Sequence, residues 1–163
     1  MIVVKLEGKE YEIKNRMDEI SISEFDEINN IISDEKMNST NQRIEMLKKL
    51  GLPNEVVNKL GYKSLLKISQ EVMTEKTDGK IHDVIVIDGE EYYRIGGEDL
   101  DLNAGQVAKI EEALKHDDRT ARVVSIVYNI DKDLASQKVT ADIAMPLVIE
   151  CEKLFLEALN EIK

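Results

Sequence analysis

Val84-Ile85-Val86-Ile87-Asp88-Gly89-Glu90-Glu91-Tyr92-Tyr93-Arg94-Ile95 decides the fold, because the chain has already said it once, 81 residues earlier, as Val3-Val4-Lys5-Leu6-Glu7-Gly8-Lys9-Glu10-Tyr11-Glu12-Ile13. Each copy is a β-branched apolar run, an acidic residue with Gly, a charged pair and a Tyr. An acidic-Gly pair between two strand-like runs marks a β-hairpin, since Gly supplies the positive φ that the turn needs. After each hairpin come an acid (Asp18, Asp99), an alternating apolar pair (Ile20 and Ile22; Leu100 and Leu102) and a helix-capping residue (Ser23, Asn103). The repeat therefore predicts two hairpin-plus-helix units, residues 3–32 and 84–114, in an α+β fold with additional packed helices.

The remaining segments read as helices. Ser23, with Asp26 at the third position, is expected to cap a helix whose apolar face is Phe25, Ile28, Ile31 and Ile32. Residues 33–40 read as a loop, followed by helices over about 41–50, 55–60 and 63–73. Gly51 and Pro53 punctuate the first two. Residues 74–80, Thr-Glu-Lys-Thr-Asp-Gly-Lys, carry no large apolar side chain and mark the boundary between a first unit, 1–76, and a second, 81–163. Asn103 with Gln106 forms a second capping box ahead of Val107, Ile110 and Leu114. Val123, Ile126, Val127, Ile130 and Leu134 share one helical spacing. Pro146 is expected to start the last helix, with a turn of helix over residues 140–145 before it. If the two hairpins meet, they make one four-stranded antiparallel sheet backed by helices.

Composition narrows the chemistry. The 163 residues carry a net charge of −11, with 34% charged and only 4% aromatic residues, so the core must be aliphatic. Residues 1–80 hold 15 acidic against 13 basic groups, and residues 81–163 hold 18 against 9, so the charge sits in the second half. An acidic surface repels phosphate, which argues against nucleic-acid and anionic-membrane partners. Cys151 is the single cysteine, so neither an intrachain disulfide nor a multi-cysteine zinc site is expected, and its apolar neighbours make it a structural thiol. Without a secretory, transit or membrane-spanning segment the chain reads as cytoplasmic.

No catalytic, cofactor or metal constellation stands out. Asp99, Asp101 and Asn103 have the 1, 3, 5 spacing of a calcium loop, but Ala104 and Ile110 occupy the positions that need Gly and a carboxylate. His82 and His116 lie in separate segments. Gly96-Gly97 lacks the later Gly and the Lys of a phosphate loop and reads as a turn. Asp117-Asp118 suits a helix cap. Glu90-Glu91 and Glu111-Glu112 read as solvated faces rather than an acid–base pair. Tyr11 and Tyr92 are expected to pack over their hairpins.

Two patterns carry a resemblance. Ile-Asp-Gly-x-x-Tyr over residues 87–92, followed by alternating apolar residues and a capped helix, is joined by Val-Ser-Ile-Val-Tyr-Asn over 124–129 and Ala-Met-Pro-Leu over 144–147 ahead of an apolar helix. This resembles proteins of phage structural operons, of the tail assembly chaperone and tail accessory type. It covers residues 84–163 and extends to residues 3–32, whereas the duplicated hairpin and the helical insert of 41–75 depart from it. The resemblance implies a non-enzymatic, cofactor-free assembly factor in the host cytoplasm with a tail or virion protein as partner. A virion subunit of the neck, tail or baseplate is the alternative, and an acidic DNA-mimic inhibitor a further one. The strand of residues 84–87, apolar on both faces, implies burial on both sides or a covered edge. The last helix is apolar beyond one stripe. The candidate partner surface is therefore Val84, Val86, Tyr92, Val148, Phe155, Leu156 and Leu159, for another protein or a second copy of the chain.

Overall fold

Both hairpins close on the same turn. Glu7 and Gly8 have φ of 52° and 77°, and Asp88 and Gly89 have 50° and 85°. Two successive positive φ values make a type I′ turn, whose twist matches that of the flanking strands. In the computed structural model, which describes residues 1–72, 79–97 and 100–161 (side chains to 157), β1 Ile2–Leu6 pairs with β2 Lys9–Ile13, and β3 Val84–Ile87 with β4 Glu90–Tyr93. The registers coincide at the 81-residue offset: Val4 faces Tyr11 and Ile85 faces Tyr92. Val4 and Ile85 are buried and the two tyrosines half-buried against the same cores, as packing rather than contact residues.

The helices are α1 Ile22–Ser33, α2 Ser39–Lys49, α3 Asn54–Val57, α4 Tyr62–Glu71, α5 Ala104–Ala113, α6 Arg119–Tyr128, α7 Lys132–Lys138 and α8 Ala141–Glu161. The fold is thus α+β, two hairpin-plus-helix units with further helices packed on them. None of the described helices is long and apolar enough to cross a membrane.

The two hairpins form separate two-stranded sheets instead of one four-stranded sheet. Each is tied to a helix end. The Lys14 amide after β2 donates to the Leu50 carbonyl at the end of α2 (3.0 Å), and the Ile95 amide after β4 donates to Val127 near the end of α6 (2.9 Å). The last carbonyls of a helix lack intrahelical partners, and here they take the amides that lead out of each hairpin.

Caps fall partly where expected. Asn103 and Gln106 form a reciprocal capping box on α5. On α1 the box is Ser21 with Glu24, not Ser23 with Asp26. That places Ile20 and Ile28 opposite Leu102 and Ile110 at an offset of 82, so the second unit has one more residue between hairpin and helix than the first. Phe25 and Ile28 are buried, whereas Ile32 is exposed. Asn38 caps α2 two residues earlier than predicted. α6 stops at Asn129, in the left-handed conformation, so Ile130 and Leu134 do not continue its stripe. α8 runs unbroken through Pro146 instead of starting there. A proline inside a helix removes one backbone hydrogen bond and costs about 3 kcal/mol. Ala141, Ala144, Leu147, Val148 and Cys151 are all buried, so the core holds the helix on both sides of the proline. The expected 74–80 boundary falls largely outside the described residues.

Two aliphatic cores result, and each borrows from the other half. Val4, Ile13, Ile20, Phe25, Ile28 and Leu47 build the first together with Ala141 of α8. Ile85, Ile87, Ile110, Val124, Leu147 and Cys151 build the second together with Ile22 of α1. Complete burial of one such side chain contributes roughly 1.5–3 kcal/mol. Between the cores, the Ile22 amide donates to Val139 (3.0 Å) and the Ala141 amide to Ile20 (2.9 Å), an isolated antiparallel bridge that joins the starts of α1 and α8. Burial pushes the Cys151 thiol up to about 12, which leaves it a packing group.

The turn glycines provide the first test. A Cβ at Gly89 would meet nothing within 4 Å, so backbone strain at its φ of 85° is the only obstacle to a side chain. Gly89→Val is expected to cost about 1–3 kcal/mol and Gly89→Asn much less. Equal chemical-denaturation midpoints for the two variants would contradict the turn.

Candidate functional site

The hairpin β3–β4 sorts its residues into two faces. Ile85 and Ile87 point into the core, whereas Val84 and Val86 point out, Val86 with 63% of its surface exposed. The strand is therefore not buried on both sides, as its sequence suggested. Val84 faces Tyr93 across the ladder and Val86 faces Glu91. Tyr93, 65% exposed, belongs to this outer face, and Tyr92 does not.

The backbone of the same strand is open at its edge. The Arg94 amide donates to the Asp83 carbonyl (3.0 Å). This makes 83/94, 85/92 and 87/90 the hydrogen-bonded pairs and turns the amides and carbonyls of Val84 and Val86 outward. No second strand pairs there among the described residues. Acidic groups surround the patch. Asp83 holds Arg94 (2.7 Å) and Asp88 stands 3.7 Å from Lys138. Glu91 accepts from the Tyr93 hydroxyl (2.5 Å), which raises the phenol pKa, and Glu90 is exposed.

The other expected contact residues separate. Val148 is buried, and Phe155 is half-buried against the second core, so both are packing groups: α8 covers that core with more of its circumference than one stripe. Leu156 is 62% exposed, as is part of Ile149, one residue after Val148. The Leu159 side chain lies outside the described residues. Ile149 belongs to the apolar surplus of the last helix that the sequence shows, whereas Tyr93 was missed. Strict alternation from Ile85 and Ile87 through the register would have found Tyr93.

The residues weighed for chemistry find structural uses. Gly96 and Gly97 form a turn: the Asp101 amide donates to Gly96 (2.7 Å), the Leu100 amide to Gly97 (3.2 Å), and Arg94 Nη1 also donates to the Gly97 carbonyl. A Cβ on Gly96 would come within 3.0 Å of the Asp101 nitrogen. Asp99 lies outside the described residues, and Leu100 is core. Among the described residues no group of three His, Cys, Asp or Glu side chains is placed to hold a metal ion. His82 offers its carbonyl to the Tyr128 hydroxyl (2.5 Å), and His116 stands 4.0 Å from Glu112.

Two aspartates carry opposite pKa shifts. Asp118, expected as a side-chain cap, makes no cap hydrogen bond. The Lys132 ammonium (2.8 Å), together with the Arg122 guanidinium (2.5 Å), holds its carboxyl at about 2. Asp26 of α1 is buried beside the start of α6. Its Oδ2 accepts from the Ala121 amide at 3.4 Å, while its Oδ1 and the Thr120 hydroxyl are buried without hydrogen-bond partners among the described residues. Burial pushes the Asp26 carboxyl up, against the smaller opposing pull of Thr120, Ala121 and Arg119.

No protein-family model matches the chain, and neither a curated protein nor a solved structure is significantly similar to it.

The sign of the Asp26 shift gives a test. A raised folded pKa adds stability that is complete below the unfolded value of about 3.9 and is lost as pH rises through the folded value. Asp26→Asn keeps an acceptor for Ala121 and adds a donor for Thr120, so it is expected to gain on the parent as pH rises above about 3.9, whereas Asp26→Ala loses at low and high pH alike. A parent-to-Asn difference in denaturation midpoint that does not change with pH would contradict the assignment. Asp118 acts the other way: its contribution is present above about 3.9 and fades as pH falls towards about 2.

Proposed function

We propose that the chain is a non-enzymatic, phage-type assembly factor that binds an extended apolar and basic segment of a tail protein along β3 and keeps that segment soluble. The observation that carries this reading is the open edge of β3, where outward backbone groups coincide with exposed Val84, Val86 and Tyr93. An exposed apolar strand edge is a template for pairing with another chain, and proteins ordinarily blunt it. Addition of a partner strand would satisfy the backbone groups, while the side-chain patch would select the sequence.

Charge supports the polarity of the partner. Asp83, Asp88, Glu90 and Glu91 border the patch, so lysines or arginines alternating with apolar residues would complement it. The net charge of −11 also keeps loaded complexes apart. The resemblance of residues 84–163 to tail assembly chaperones and tail accessory proteins agrees with a transient binder that has no chemistry of its own. Exposed Leu156 and Ile149 add apolar surface on α8.

Co-expression with phage tail proteins tests this. Val86→Glu is expected to abolish co-purification with the partner while leaving the thermal midpoint within a few degrees, because the side chain lies outside the core. Ile85→Glu, in the core, is expected to unfold the protein. Retained binding by Val86→Glu would remove β3 as the site. Mass spectrometry of purified particles separates an assembly factor, which leaves, from a virion subunit, which stays.

A further inference from the structure

A groove of about 360 Å³ lies between α5 and α6, and none of the residues of the β3–β4 hairpin lines it. Lys109, Glu112 and Ala113 line it from α5, at the i, i+3, i+4 spacing that places them on one face. Arg122, Ser125 and Ile126 repeat the same spacing on α6. Lys132, at the start of α7, also lines it. His116 completes the lining; buried Ala113 and half-buried Ile126 are its apolar residues, and Lys109 among the cations is exposed.

The charge of this groove runs against that of the chain. Three cations, Lys109, Arg122 and Lys132, line it against one carboxylate, Glu112. Asp118 takes up Arg122 and Lys132 together, two cations on one carboxylate. Its low pKa reports a positive surrounding. Glu112 is met by Lys115 at 3.4 Å. Lys109 makes no ion pair among the described residues. An excess of positive charge therefore remains in the lining, in a half of the chain that carries twice as many acidic as basic groups.

We propose that this groove binds an acidic segment of another protein, seating one apolar side chain on Ala113 and Ile126 between flanking carboxylates that meet Lys109, Arg122 and Lys132. The volume fits a large apolar side chain with the backbone that carries it. The groove is open to solvent along its length, whereas small-molecule sites enclose about 70–90% of their ligand. A chain can continue out of such a groove in both directions. Cations spaced along both helices suit several carboxylates better than a single compact anion.

The acetylated peptide Glu-Glu-Leu-Phe-Glu-Glu, titrated into the full ¹⁵N-labelled chain, tests the site. Saturable shifts are expected at the amides of Ala113, Ser125 and Ile126. Lys109→Glu is expected to weaken binding by about tenfold or more, the scale of one charge-assisted contact, with the thermal midpoint unchanged. Ile126→Ser should weaken it similarly, and its own melt shows whether the fold survives. Two control peptides, with Gln for Glu or with Ser for Leu and Phe, should each bind at least about tenfold less tightly, since both charge and apolar contact are required. Equal binding by the Ser peptide, or an affinity indifferent to Lys109→Glu, would overturn the proposal. Inorganic phosphate giving the same shifts would reassign the site to a simple anion. Concentration-dependent self-association abolished by Lys109→Glu would make the occupant a second copy and overturn it as well.

Discussion

α1 belongs to both cores at once, and the two halves of the chain are held to one another through it. Ile22 enters the second core, Phe25 and Ile28 enter the first, and Asp26 between them reaches the start of α6. The first amides of α6 lack intrahelical partners and carry the positive end of the helix dipole, so a carboxylate from α1 is favourable there in charge. Burial opposes it: the dry site leaves one carboxylate oxygen and the Thr120 hydroxyl unpaired. The contact is a compromise, a cap supplied by another helix at a cost in desolvation. With the bridge between residues 20–22 and 139–141, it fixes where α6 and α8 begin relative to the first hairpin.

The two hairpins share the same turn and the same inward pair but have different edges. The edge of β1 lies beside α4, where Ser64 and Lys67 share a groove with it. No further strand pairs with the edge of β3 among the described residues, and Val86 beside it is exposed. An isolated two-stranded ribbon is marginal in water, and each of these is kept by the helices behind it rather than by a neighbouring strand. That arrangement leaves β3 free to pair, which is the physical content of the proposed binding role.

What was legible in the sequence was set by local backbone chemistry. The type I′ turns follow from Glu7-Gly8 and Asp88-Gly89, and the α5 cap from Asn103 and Gln106, because each motif satisfies itself within a few residues. What was misread depends on distant groups. Ser21 and Ser23 both offer a hydroxyl, but only Ser21 has Glu24 three residues on to complete the box, and the same shift freed Asp26 for α6. Pro146 reads as a helix start until the burial of residues on both sides is known. Of the candidate surface, Val84, Val86 and Leu156 are exposed, while Val148, Phe155 and Tyr92 were claimed by the second core. An apolar helix does not state how much of its circumference a core will cover.

Net charge misleads in a related way. A total of −11 suggests a protein that seeks basic partners everywhere. At physiological ionic strength, however, charges are screened over about 8 Å, so each patch answers mainly to its own neighbours. The acidic groups of the second half crowd around the β3–β4 hairpin and along exposed helix faces. Lys109, Arg122 and Lys132 line one groove from α5, α6 and α7, where cations hold the Asp118 carboxyl at about 2. The sequence spaces these three over 24 positions, so no window of residues shows them as a cluster. Folding α5 against α6 makes the cluster, and it gives an acidic protein one face on which an acidic chain can settle.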